Sequence, residues 1–206
     1  MAELMKRIID IKALPKMFPT HKHEPMFWES LGRAVATFGF LEETLGKAIF
    51  ALTATKPYSE EEIQKAYESW LPKLQNALSG QLWNLVESYG KAVGEHPDST
   101  KENLGELLDQ LKEAAKIRNV ICHGSWRAPT AEGASVPFFV SRHQECFETA
   151  IDIPFLLQLQ EHVCELICAV INTITKMGWQ FPGSQGPGAI IGEVDGSPNN
   201  LFNTVP

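Results

Sequence analysis

The chain has 206 residues, an apolar fraction of 44%, a charged fraction of 21% and a formal net charge of −7. That balance suits one generous globular domain with appendages and excludes a chain that is disordered throughout. With a pI near 5.4 the average surface repels polyanions, so a nucleic acid would have to meet a local basic patch.

At the N-terminus, Met1 to Asp10 lacks an apolar stretch followed by a small-residue cleavage site. No uninterrupted run of about 18 apolar residues follows, so the expectation is a cytoplasmic protein without a membrane partner. The first long helix is expected over 26–52, with Pro25 in its first turn. Trp28, Leu31, Val35, Phe38, Leu45, Ile49 and Leu52 recur at helical spacing, and Glu42 stands where that series skips a place.

Ser59 followed by Glu62 reads as a capping box opening a helix to about Trp70; Pro72 kinks or restarts a helical stretch that continues to about Val93. Residues 94–98 form a loop, and Ser99 with Glu102 reads as a second capping box. The helix it opens carries Leu104, Leu107, Leu111, Ala114 and Ile121 on one stripe, interrupted by Arg118. It is expected to stop at His123, with Gly124 in the left-handed position beyond the helix end.

Residues 136–142 and 146–153 read as two short strands of a hairpin inserted between helices. Pro154 then opens the last long helix, striped by Leu156, Leu159, Val163, Leu166, Val170, Ile174 and Met177. Cys122, Cys146, Cys164 and Cys168 do not resemble a disulfide framework; Cys164 and Cys168 are expected as small core residues, and no metal or other cofactor is expected. The expected architecture is a mainly α, up-and-down helical bundle spanning 1–178, with a β insertion at about 126–153 and an irregular Gly/Pro-rich tail at 179–206, in which Leu201-Phe202 is a candidate docking point.

Two apolar stripes are thus broken by one charge each, Glu42 and Arg118. An unpaired buried charge costs several kcal/mol, so the two are expected to approach each other or to share a wet cleft. A purely structural ion pair fixing how the helices pack is the competing explanation. Asn119 and His123 lie four apart on nearly the same face, while Arg118 and His123 differ by about 140° and can flank a groove. His123 ends the helix, where unsatisfied carbonyls favour a cation. Lys112, Lys116, Arg118 and Arg127, opposed only by Glu113, give this stretch a net excess of three positive charges, where a phosphate would be drawn.

Arg118-Asn119-Val-Ile-Cys-His123, followed by Gly124, resembles the R-x-x-x-x-H motif of the HEPN superfamily, in the form with a polar residue after the Arg. The resemblance covers roughly residues 26 to 177. It implies a helical bundle that dimerises, bringing two motifs into one cleft, and a metal-independent endoribonuclease of toxin–antitoxin or antiviral systems. His123 would then activate the RNA 2′-hydroxyl or protonate the leaving 5′-oxygen, Arg118 would hold the phosphate and Asn119 would orient either group. Glu42 would support Arg118, and Lys112, Lys116, Trp126 and Arg127 would contact RNA, Trp126 by stacking on a base or else by packing the hairpin onto the bundle.

Some members carry, two residues after the motif His, a Tyr that an antitoxin modifies. Here that place is Ser125, so such a nucleotidyltransferase partner is not expected, although an inhibitory or activating protein partner is. The alternative is a non-catalytic nucleotide-binding or protein-interaction module of the same fold, which the overall acidity favours. A metal-dependent hydrolase finds no convergent ligand spacing.

Overall fold

The structure is a computed structural model that describes residues 8–78 and 81–185. After a 3-10 turn at Ile11–Ala13 come five α-helices among the described residues: α1 Pro25–Ala54, α2 Glu60–Leu78, α3 Leu82–Glu95, α4 Leu104–His123 and α5 Ile153–Thr175. Pro25 occupies the first turn of α1, where its missing N–H costs nothing. At α2 the Glu62 carboxylate reaches back to the Ser59 N–H at 3.3 Å and to its hydroxyl at 2.8 Å. Pro72 sits inside α2 without ending it. At α5 the Asp152 carboxylate caps the helix by accepting from the Phe155 N–H at 2.8 Å.

The hub is α1, which packs against the other four helices and most extensively against α5 and α3. Its buried stripe is Phe27, Leu31, Ala34, Phe38, Leu41, Leu45, Ala48, Ile49 and Leu52. Leu31, Phe38, Leu45, Ile49 and Leu52 of the expected series belong to it, but at three places the buried residue comes one earlier: Phe27 for Trp28, Ala34 for Val35, which is 38% exposed, and Leu41 for Glu42, which lies at the edge. The stripe of α4 is likewise Leu111, Ala114, Ala115, Val120 and Ile121, with Arg118 beside it rather than in its centre. Tyr89 of α3 is enclosed and meets Thr173 of α5 at 3.2 Å, and burial pushes its phenol up to about 12.

Several local expectations are corrected. Ser99 caps no helix; its hydroxyl donates to the carbonyls of Val93 and His96, and α4 starts five residues later behind Asn103, in the left-handed region at φ 56°. Gly124 has φ −69° and is extended, not left-handed. No sheet forms among the described residues. The expected hairpin is replaced by an irregular arm, residues 125–151, joined by the isolated antiparallel pairs Ser125–Phe138, Ser135–Ile151 and Val140–Cys146. Pro129 and Pro137 remove ladder donors from the arm, which keeps its pairing short.

Cys164 and Cys168 are exposed on the outer face of α5, because the face turned to α1 is taken by Leu156, Leu159, Val163, Leu166, Ile167, Val170 and Ile174. The segment after α5 is not wholly detached, since Phe181 is buried in the core. Leu201-Phe202 lies outside the described residues. By length and composition alone, α5 also qualifies to cross a membrane, with a mean hydropathy of 1.3 over an 18-residue window of which 33% is buried. Gln158, Gln160, Glu161, His162 and Glu165 break a strict apolar run yet leave that average high.

Candidate functional site at the end of α4

Helix α4 delivers Arg118, Asn119, Cys122 and His123 to one end of the bundle, beside the middle of α1. The Arg118 guanidinium lies 3.1 Å from Glu42 Oε1, with side chains only 26% and 30% exposed. A second guanidinium nitrogen donates to Asn119 Oδ1 at 3.3 Å. Glu42 Oε1 is buried without a hydrogen-bond partner, so the contact with Arg118 is one of charge and proximity, poorly aligned for a directed bond. A carboxylate held this way neutralises the guanidinium loosely and leaves its remaining N–H groups available.

Cys122 follows Arg118 by one turn. Burial pushes its thiol up, with Arg118 drawing it down and Glu42 pushing it up again, so Cys122 lies within electrostatic reach of the pair. Spacing arguments passed over this thiol because a lone cysteine carries no pattern. The His123 side chain is exposed, and its ring has no hydrogen bond or ion pair with any of the described residues. Its ring is accordingly open to a ligand arriving from solvent.

Beyond His123 the chain leaves α4 through Gly124. Its N–H closes the helix on the Val120 carbonyl at 2.8 Å, and a Cβ at this position would meet Val120 O at 2.6 Å and Pro137 Cβ at 2.9 Å. Glycine is therefore required by close approach, not by a positive φ. The arm then folds back, with Ser125 and Phe138 exchanging both backbone hydrogen bonds at 2.9 and 2.8 Å. The Ser135 hydroxyl ties the arm further by donating to the Arg127 carbonyl at 2.9 Å.

The remaining expected RNA contacts are dispersed. Lys112 stands over the Trp83 ring of α3 at 5.5 Å. Lys116 pairs with Glu113 at 2.6 Å and, two residues from Arg118, points about 200° away from it around α4. Trp126 packs inward against the start of α1, with its ring 5.0 Å from Phe27 and 6.3 Å from both Trp28 and His23. Arg127 is exposed, with its guanidinium 5.0 Å from the Phe138 ring. Of the expected cations, Arg118 lies in the last two turns of α4 and Arg127 on the arm that follows His123.

Elsewhere, a cavity of about 250 Å³ lies toward the C-terminal end of α1, lined by Thr53, Tyr58, Ile63, Ala66, Tyr67 and Trp70. No three His, Cys, Asp or Glu side chains converge among the described residues. Comparison with models of known protein families, with curated proteins and with solved structures finds no match to this chain.

Proposed function

We propose that the chain is a metal-independent endoribonuclease of HEPN type, acting as a cytoplasmic homodimer in toxin–antitoxin or antiviral defence under the control of a protein partner. The observation that carries this reading is one constellation. A guanidinium is held beside an amide by Glu42, and an unencumbered imidazole follows at the helix end.

In this reading Arg118 binds the non-bridging oxygens of a phosphate through the N–H groups that Glu42 and Asn119 leave free. His123 takes the proton from the adjacent 2′-hydroxyl as its oxygen attacks phosphorus. The bond from phosphorus to the 5′-oxygen breaks, and its electron pair leaves with that oxygen, which takes a proton from water while the His123 imidazolium returns its own to solvent. The products are a 2′,3′-cyclic phosphate and a 5′-hydroxyl. Charge that builds on the phosphate is offset by Arg118, and proton transfer by a placed side chain is worth about 10²- to 10⁴-fold.

The test compares wild type with His123→Ala on total cellular RNA in EDTA, after circular dichroism confirms equal folding. Expected are cyclic-phosphate ends from wild type and a rate at least 10²-fold lower from the variant. Equal cleavage by both would remove His123 from the mechanism.

A second reading, a non-catalytic binding module, is favoured by a different observation. Arg118 already has an acidic neighbour, and the chain is acidic overall at −7. Neither protein cleaving RNA would select that reading.

A further inference from the structure

The arm after the motif has two unlike faces. In extended backbone, successive side chains point to opposite sides. Trp126, Pro137 and Phe139 are buried or half-buried, whereas Ser125, Arg127, Val136, Phe138 and Val140 are exposed. Phe138 is the most open of the outer apolar residues, at 55% against 37% for Val136 and 44% for Val140. The aromatic that looked suited to stacking by its closeness to the motif, Trp126, is committed to packing on α1, and an aromatic that no motif pointed to stands outside.

Phe138 is placed with respect to the motif by the backbone. Its N–H and C=O bond the C=O and N–H of Ser125, two residues after His123. The two side chains therefore project from the same side of the pair. Gly124 lies close against Pro137, and the two Ser125–Phe138 hydrogen bonds hold the arm to the end of α4. Arg127, also on the outer side, stacks its guanidinium on the Phe138 ring at 5.0 Å. A planar cation and an open aromatic ring thus stand on the arm that leaves the helix end carrying Arg118 and His123, in a chain otherwise acidic.

We propose that Phe138 and Arg127 form a stacking shelf for a nucleobase of single-stranded RNA, next to the phosphate bound at Arg118 and His123; this rests on the ribonuclease reading. Bases stack on aromatic rings and on guanidinium planes irrespective of sequence, and the guanidinium adds attraction for the neighbouring phosphate. One ring and one guanidinium match the size of a base or two, whereas a protein partner would need a far wider apolar face. The shelf would hold the strand against the site without reading its sequence.

The full chain carrying His123→Ala, so that no substrate is lost, is titrated against a fluorescent twelve-nucleotide oligoadenylate and against an abasic ribose-phosphate strand of the same length. Phe138→Ala is expected to weaken the oligoadenylate by about 5- to 100-fold and the abasic strand hardly at all. Phe138→Trp should restore binding, and Arg127→Ala should weaken both strands. Unchanged oligoadenylate affinity in Phe138→Ala, or an equal loss on both strands, would overturn the shelf. So would a change in self-association by sedimentation with RNA affinity intact, which would make this face a protein contact. The nuclease reading fails separately: base-dependent binding without any cleavage by the His123 protein would keep the shelf and discard catalysis. Cleavage unaffected by Phe138→Ala would do the reverse, and no RNA binding by any variant would discard both.

Discussion

At the scale of single residues, the Arg118–Glu42 contact decides whether the α4 end is a site or a strut. Both side chains keep more than a quarter of their surface in water, so the pair contributes modestly, on the order of 1 kcal/mol or less. Glu42→Gln should therefore shift the urea midpoint only slightly. Arg118→Ala should cost about 1–2 kcal/mol, since it leaves the Glu42 carboxylate half-buried and alone. Its RNA cleavage should nevertheless fall at least 10²-fold, because the group that meets the developing charge is gone. Unfolding of Arg118→Ala would mark the pair as a packing device. The approach of these two charges was legible in the sequence because each interrupts an apolar stripe. Their place at the stripe's edge was not, since Leu41 and Glu42 differ by only about 100° around the helix.

At the scale of elements, the junction between α4 and the arm is where local rules misled. Glycine after a helix ordinarily signals a left-handed residue, yet Gly124 sits at φ −69°, which alanine adopts freely. What excludes a side chain here is the approach of Val120 O and Pro137 Cβ, a tertiary fact. Gly124→Ala should destabilise by about 1–3 kcal/mol through overpacking, and lower Tm by roughly 2–4 °C per kcal/mol for a chain of this size. Gly39→Ala is the control with opposite sign. That helical glycine has nothing within 4 Å of its Cβ position, so alanine should gain up to about 1 kcal/mol. Matching melting temperatures for the two variants would refute the steric account. The Ser99 expectation failed for a related reason, because its hydroxyl found the carbonyls of Val93 and His96 at the end of α3 before it could cap α4.

At the scale of the whole molecule, the segment before α1 is held to the bundle by an aromatic cluster. His23 stacks on Phe27 at 4.3 Å and meets the Trp28 and Trp126 edges at 5.3 and 6.3 Å. Its Nε2 is buried without a partner, and burial pushes its pKa below the ordinary 6.5. In the unfolded chain His23 binds a proton near pH 6.5, but the folded protein resists it until the pH is lower still. The neutral ring therefore contributes stability that is full above pH 6.5 and lost as the pH falls through the folded value. His23→Phe keeps a ring in place and removes the titration. Between about pH 7.5 and 5.5 the wild type should lose stability relative to this variant, as read from paired urea titrations at each pH. Parallel pH dependence of the two would show that His23 titrates alike in both states. Because Trp126 belongs to this cluster, any loosening of His23 would be felt at the arm beside His123.

Neither the start of α4 nor the division between α2 and α3 was legible in the sequence, but the courses of α1 and α5 and the α4 end that carries Arg118, Asn119 and His123 were. These are consequences of short-range periodicity and end signals, which act within a few residues of the chain. Tertiary structure alone decided which way each face turned. Leu41 rather than Glu42 reached the core, Cys164 and Cys168 faced outward, and Phe138 stayed out. Each of these choices depends on which neighbour a face packs against, and a repeat of 3.6 or 2 residues defines a face without naming its partner.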